Sequence, residues 1–248
     1  MSKSIYVYGF HSIESLLKSN SESILKVFIQ RGRQDLRINN LTQELSSQEI
    51  QFSLADKDFL DQISKNESHQ GVISEVILPP LLSENTLLSS IENLPEVPLI
   101  LVLDSIQDPR NLGACLRSAN AAGVSHVIIN KDGSAPINAL VHKTSAGAIN
   151  SLQIFHVTNL SRTIKSIQGK GIWVIGLDGD STSKIYDVNL SDATAIVMGT
   201  EGKGIRQLIK KTCDQLVTIP MSGNIESLNV SVATGIALFE SKRQRESS

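Results

Sequence analysis

Glu201 stands between glycines in Gly199-Thr200-Glu201-Gly202-Lys203-Gly204, directly after the apolar run Ile196-Val-Met. A carboxylate at the end of a buried strand faces whatever ligand sits above the sheet edge. Two further segments have the same character, an apolar strand breaking into a polar loop: Ile219-Pro-Met221-Ser-Gly-Asn224 and Ser227-Leu228-Asn229-Val-Ser231-Val-Ala. Asn229 opens the last helical pattern, where it can cap the helix and contact a ligand together. Upstream, Asp108-Pro-Arg110-Asn111-Leu112-Gly113-Ala-Cys-Leu-Arg117-Ser118 reads as a turn that opens a helix. Asn111 and Arg117 are six apart and share no face of an ideal helix, so they converge only if Asn111 lies in the preceding turn. Taken singly, each feature has a plain alternative: a tight turn, a solvated carboxylate, a cap, a surface arginine.

Other chemistries lack their residues. The first strand after the proline-rich segment ends Leu103-Asp104-Ser-Ile-Gln-Asp-Pro, without the glycine fingerprint of dinucleotide sites, and Gly199–Gly204 is not a Walker loop. The five histidines form no H-x-x-x-H or mixed Cys/His cluster, so no metal is expected. No Ser-His-Asp or Cys-His spacing appears. Cys115 and Cys213 lie far apart and read as two reduced thiols packed in helices.

These segments need a scaffold. Short, nearly continuous apolar runs at Leu99–Leu103, Val127–Ile129, Ile154–Val157, Ile172–Gly176, Ala195–Met198 and Leu216–Ile219 read as strands buried on both faces, as in parallel sheets. Helical patterns fit between them at Leu112–Ala122, Asn138–Ser145, Leu160–Gln168, Ile205–Thr212 and Asn229–Lys242. This alternation predicts a doubly wound α/β domain over residues 98–248, with a frayed tail from Lys242. Pro79-Pro80, Pro95 and Pro98 predict an extended linker over 79–97, with one short helix at Leu87–Leu94. Residues 1–78 form a small α/β unit: strands at Ile24–Gln30, Gln51–Leu54 and Gly71–Val76, helices at His11–Lys18, Leu36–Ser46 and Asp56–Ile63, the last capped by Asp56 or Asp58.

The chain of 248 residues can bury a substantial core, and no apolar run approaches the roughly 18 residues of a membrane span. Met1-Ser-Lys-Ser-Ile-Tyr enters structured sequence at once, which leaves no room for a secretory or transit signal and points to the cytoplasm. Net charge is −2, unlike proteins that bind nucleic acid by bulk electrostatics. The sign is uneven: residues 1–78 hold 8 Lys/Arg against 10 Asp/Glu, and residues 98–248 hold 15 against 12. Nucleic-acid contact would need local patches, for which Arg31, Arg33, Arg110, Lys143, Lys203 and Arg206 are available; scattered solvated charges are the alternative.

Taken jointly and in this order, the three C-terminal segments and the Asp108–Ser118 segment resemble the signature motifs of the SpoU (TrmH-like) RNA 2′-O-ribose methyltransferases, over residues 98–245. Tyr8-Gly-Phe-His-Ser-Ile-Glu-Ser-Leu-Leu and His69-Gln-Gly-Val resemble the family's L30e-like RNA-binding module, over about residues 4–76. Module and catalytic domain together resemble the bacterial members that methylate a guanosine ribose in the peptidyl-transferase region of 23S rRNA. The resemblance implies a SPOUT α/β domain with a C-terminal trefoil knot built from Gly199–Gly204, Ile219–Asn224 and Ser227–Ser231. It implies a homodimer through the knot region, and S-adenosyl-L-methionine held by Gly199, Thr200, Gly202, Ile219, Met221, Ser227 and Leu228. It places Asn111, Arg117, Glu201 and Asn229 at the catalytic positions.

The implied chemistry sets its own demands. A ribose 2′-hydroxyl must lose its proton as it attacks, and in-line displacement makes positioning a large part of the acceleration. With a pKa above about 12, arginine is no base. Arg117 is therefore expected to clamp the substrate phosphate and stabilise the forming alkoxide while phosphate or water takes the proton. Glu201 and Asn229 would orient Arg117 and the ribose. Competing readings are a tRNA or different-site rRNA methyltransferase of the same family, a catalytically silent RNA-binding protein, and a small-molecule α/β enzyme with an unrelated glycine loop.

Overall fold

The computed structural model describes residues 4–78, 81–94, 96–223 and 227–247; Pro79-Pro80, Pro95 and Asn224, on which part of the reading above rests, lie outside the described residues. The chain divides into two compact units, residues 1–80 with 137–151, and residues 81–136 with 152–248.

The first unit begins β1 (Ser4–Tyr8), α1 (Phe10–Ser19), β2 (Ile24–Gln30), α2 (Leu36–Ser47), β3 (Phe52–Ala55), α3 (Lys57–Ser64) and β4 (Val72–Ile77). Its sheet runs β1-β4-β2-β3, with β4 antiparallel to both neighbours and β2 parallel to β3. Phe10, Ile13 and Leu17 of α1 and Ile38, Leu41 and Leu45 of α2 recur at helical spacing and bury against Val27, Ile29, Val72 and Val76. The Asp35 carboxylate caps α2 by accepting from the amides of Arg37 and Ile38, both at 3.1 Å. Asp56 occupies the N-cap of α3 but makes no capping bond; its carboxylate lies 3.5 Å from Arg31 instead. β1 was not foreseen, although Ser-Ile-Tyr-Val-Tyr is rich in β-formers. Near the unit's end the Gly71 amide donates to His69 Nδ1 at 3.0 Å, so His69 Nε2 carries the proton and donates to Asp61 at 2.8 Å.

The second unit opens with β5 (Leu82–Ser83) and α4 (Glu84–Glu92), followed by β6 (Leu99–Leu103), α5 (Pro109–Ala122) and β7 (His126–Asn130). Residues 137–151, carrying α6 (Ala139–Thr144), then return to the first unit. There Ala139 packs with Tyr8, Leu60 and Ile73, and Ser15 Oγ donates to the Ala146 carbonyl at 2.9 Å. The second unit resumes with β8 (Gln153–Val157), α7 (Leu160–Gln168), β9 (Trp173–Leu177), β10 (Thr194–Met198), α8 (Gln207–Lys210), β11 (Gln215–Val217) and α9 (Val230–Glu246).

Its seven strands are ordered β11-β9-β10-β6-β7-β8-β5, and every pairing is parallel. β6, β7 and β10 are buried at every position, as expected of strands covered on both faces. Several elements depart from the sequence reading for local reasons. Residues 81–94 are part of this unit: β5 pairs with β8, Leu87 and Ile91 enter the core, and Glu84 takes a bidentate bond from Arg162 and one from Thr163 on α7. Those hydrogen bonds, with Arg162 the larger cause, hold the Glu84 carboxyl below the usual carboxylate range. Cys213 lies in the turn after α8 rather than in a helix. Burial pushes its thiol up to about 12 and that of Cys115 up to about 11, so both stay protonated and inert.

The tail is not frayed. Helix α9 continues through Glu246, and the Arg245 guanidinium donates to the carbonyls of Leu190, Val97, Pro98 and Asp192. Among the described residues no helix is long and apolar enough to cross a membrane.

Candidate active site

Because the sheet is wholly parallel, the loops leaving β6, β9, β10 and β11 emerge along one edge, where α/β sheets hold ligands. The loop after β10 closes on itself at once. Thr200 N–H donates to the Gly204 carbonyl at 3.0 Å, and Gly204 N–H returns a bond to Thr200 at 2.8 Å. A Cβ on Gly199 would lie 2.0 Å from the Gly204 carbonyl carbon, so only glycine lets the two arms of the turn meet. Gly202, at φ 79°, forms its tip beside Glu201. The far end is anchored to the neighbouring strand. Asp104, completely buried at the exit of β6, accepts from the Arg206 amide at 2.9 Å and from Arg206 Nε and Nη2, both at 2.7 Å. The sequence reading passed over Asp104, although an acid closing an all-apolar strand is a signal that a buried carboxylate has a dedicated partner.

Three of the four predicted catalytic residues meet at this turn. Asn111 Nδ2 donates to Glu201 Oε2 at 3.3 Å, and Asn229 Nδ2 faces both Asn111 Oδ1, at 3.0 Å, and Glu201 Oε2, at 3.4 Å. Asn229 Oδ1 is occupied separately, accepting from the Ser231 amide at 2.9 Å and its hydroxyl at 2.6 Å, which caps α9. Both amide donors thus fall on one carboxylate oxygen, leaving Glu201 Oε1 without a partner among the described residues. Three segments more than 25 residues apart in sequence build this cluster, and α5 packing along α9 brings two of them together.

Arg117 does not join it. α5 begins at Pro109, capped by Asp108, whose carboxylate accepts from the Arg110 amide at 2.8 Å. Asn111 is therefore inside the helix rather than in a turn before it, and Arg117 points about 240° around from it. Arg117 is exposed and makes no hydrogen bond or ion pair among the described residues.

Glu201 also borders a cleft of about 590 Å³. Gly199, Thr200 and Gly202 line it from the turn, Ile219 and Met221 from the segment after β11, and Ser227 and Leu228 from the approach to α9. All seven positions assigned to the cofactor therefore face one space. The sequence reading missed its remaining wall, Leu177-Asp178-Gly179-Asp180 after β9, although that stretch too is an apolar strand breaking into a glycine loop. Lys210 Nζ bonds Asp178 at 2.8 Å within this wall, while Asp180 and Glu201 leave the cleft acidic.

The cations expected to meet nucleic acid differ in their freedom. Arg31, Arg33, Lys143 and Arg206 are paired with Asp56, Asp35, Glu67 and Asp104. Arg110, next to Asn111 in the chain, and Lys203, two residues after Glu201, are exposed and unpaired among the described residues. Among the described residues no cluster of metal-ligating side chains occurs.

Comparison with known proteins matches both parts of the chain. The model of the SpoU rRNA methylase family covers residues 98–239, and that of the RNA 2′-O ribose methyltransferase substrate-binding domain covers residues 6–80. The chain is 45% identical to the 23S rRNA (guanosine-2′-O-)-methyltransferase RlmB of Escherichia coli K12, over 96% of this chain and 98% of that protein. It is 41% identical to the protein of the same name from Shewanella oneidensis, over 100% of both. Among solved structures it superposes on the SpoU methyltransferase AviRb of Streptomyces viridochromogenes, crystallised with AdoMet, at a TM-score of 0.80 and 22% identity over 99% of this chain and 92% of that one.

Proposed function

The chain belongs to the SpoU rRNA methylase family, and on that premise we propose that it transfers a methyl group from S-adenosyl-L-methionine to the ribose 2′-hydroxyl of a guanosine in the peptidyl-transferase region of 23S rRNA. One observation carries the proposal: Asn111, Glu201 and Asn229 form a hydrogen-bonded cluster at the mouth of a glycine-walled cleft.

The cleft fits the cofactor. Its volume lies in the range of about 300–1,000 Å³ usual for small-molecule sites. Leu177, Met198, Ile219 and Leu228 supply an apolar bed for adenine, and Glu201 and Asp180 supply negative charge for a sulfonium and an ammonium. The closure of Gly199 on Gly204, which a Cβ would block, fixes the turn whose main chain walls the cleft. When bound, S-adenosylmethionine supplies an electrophilic methyl group on a sulfonium that leaves as a neutral thioether. The chain's own part is to hold the attacking hydroxyl. Glu201 Oε1 is free to accept a hydrogen bond from the 2′-OH and to pass the hydroxyl's proton to water or the substrate phosphate as the methyl is transferred, and the two asparagine amides fix the carboxylate plane through Oε2. Positioning of this kind and the electrostatic support of a forming alkoxide are the main levers open to a displacement at carbon.

Arg117 belongs in this reading as the clamp on the substrate phosphate, reaching the cluster of a second copy. Its place on α5, away from Asn111, supports a shared site. So does an apolar stripe on α9: Val232 and Phe239 are exposed with Ile236 between them at helical spacing. The C-terminal segments 199–204, 219–224 and 227–231 form the family's trefoil knot in this reading. The placement of β11 at the sheet edge beside β9, followed by the return of α9 onto α5, supports that path. Residues 1–78, completed by 137–151, act as the L30e-like RNA-substrate-binding domain, and 98–248, with 81–94 packed into the same unit and 137–151 excepted, act as the SPOUT domain; the enzyme works in the cytoplasm.

The test is transfer of radiolabelled methyl to deproteinised 23S rRNA and tRNA lacking the modification, with the site mapped by resistance of the backbone to alkaline cleavage. A single alkali-resistant guanosine in 23S rRNA is expected. Label appearing only in tRNA, or none in either RNA despite cofactor binding, would overturn the assignment.

A further inference from the structure

A second cleft, of about 710 Å³, adjoins the first and shares Thr200, Lys203, Gly204 and Lys210 with it. We propose that this cleft, between the Ser105–Gln107 loop and the start of α8, is an RNA subsite that holds the nucleotide next to the methylated one, reading its base and its phosphate. The proposal rests on the chain's action on RNA.

The walls are built for an anion on one side. Arg206 is fixed by Asp104 through Nε and Nη2, which leaves Nη1 directed away from the buried carboxylate, and its side chain is 56% exposed. An arginine locked along one edge presents its remaining donors at low entropic cost, the arrangement that phosphate recognition favours. Lys203 adds a free ammonium, and Lys210, neutralised by Asp178, adds none. Asp132, the one carboxylate lining the cleft, offsets Lys203 in formal charge, so an anion is held by the directed donors of Arg206 Nη1 and Lys203 Nζ rather than by an excess of positive charge.

The other side carries base-reading chemistry. Gln107 and Gln207 are both exposed and line the cleft, each offering an amide donor and acceptor suited to the edge of an unstacked base. Between them the backbone is held in a costly conformation. Ser105 has φ 63°, and buried Asn130 keeps it there: Oδ1 accepts the Ser105 amide at 2.8 Å and Nδ2 donates to Ser105 Oγ at 3.2 Å. Gly133, at φ 82°, passes close beside it. A strained non-glycine residue fixed by a buried side-chain network at a cleft wall is a mark of a shaped binding surface. The two clefts adjoin at the Thr200–Gly204 turn, so a strand with its reactive ribose at Glu201 can lay its neighbouring nucleotide in the second cleft.

The double variant Gln107→Glu/Gln207→Glu tests this. It keeps side-chain size, sets a carboxylate at the first turn of α8 where the helix dipole favours it, and repels phosphate. Methyl transfer to unmodified 23S rRNA should show KM for RNA raised about tenfold or more, while calorimetric binding of S-adenosylmethionine is unchanged. Lys203→Gln should flatten the salt dependence of log KM for RNA by somewhat under one unit, as expected for loss of about one phosphate contact on a single strand. An unchanged KM in the double variant, or a loss of cofactor affinity equal to the loss for RNA, overturns the subsite. Absence of RNA methylation by the wild-type enzyme instead overturns the function on which it rests.

Discussion

Asn229 Oδ1 accepts the Ser231 amide while its Nδ2 faces Asn111 and Glu201, so one side chain ends a loop, starts a helix and orients a carboxylate. Substitutions separate these duties. Asn229→Asp keeps the capping oxygen, so thermal stability should stay close to wild type, but it sets a second carboxylate against Glu201 and removes the donor. Asn229→Ala loses the cap as well, at about 1 kcal/mol. Methyl transfer should fall about a hundredfold or more in both, the scale of a displaced catalytic group. Retained turnover in Asn229→Asp would show that the amide donor does not matter. The capping role was legible from Asn229 standing before a helical pattern. Its contact with Asn111 was not, because it depends on how two helices 118 residues apart in sequence pack together. Asp104 was overlooked for the same reason: its partner Arg206 lies 102 residues away.

The apolar runs that read as strands are strands, and their continuous hydrophobicity announced a sheet covered on both faces. What pattern could not supply were short or anchored elements. β5 has two residues and exists because β8 offers it an edge. α8 spans only Gln207–Lys210, because the Asp104 bonds hold Arg206 outside the helix that the pattern extends to Ile205. The end of α9 looked expendable because its charges carry no sign of the four carbonyls that Arg245 gathers. The burial of two histidines is equally absent from the sequence pattern. His126 on β7 stacks on Phe155 and donates or accepts only at Ser90, and His142 on α6 meets Asn150; burial pushes both down to about 4. The unfolded chain takes these protons near pH 6.5, the folded chain only near 4, so stability is full above 6.5 and falls as pH drops between the two values. Each histidine contributes up to about 3 kcal/mol to that loss. The thermal midpoint should therefore fall steeply between pH 7 and pH 5, and His126→Gln should flatten the fall. An equal slope in the variant would locate the acid sensitivity elsewhere.

For the whole molecule, the proposal that Arg117 of a second copy completes the site makes a quantitative prediction. Arg117→Ala and Glu201→Gln should each be inactive alone. Mixed and reassociated in equal amounts, half the dimers pair one variant with the other, and each such dimer carries one intact site of two, so about a quarter of wild-type activity should return. No recovery on mixing would mean that each copy uses its own arginine. The division into two units has a different consequence, in time rather than in space. Residues 137–151, with Ala139 beside Tyr8, Leu60 and Ile73, belong to the first unit but lie within the span of the second. A ribosome delivers the chain from its N-terminus at about 5–20 residues per second, so roughly 4–14 s separate residue 80 from residue 151. Throughout that interval the nascent first unit lacks its last piece, with the cluster around Leu60 left open. The part that came first in the chain cannot be finished until a stretch of the second unit has already been delivered, and a fragment cut at residue 80 would carry the same unfinished face permanently.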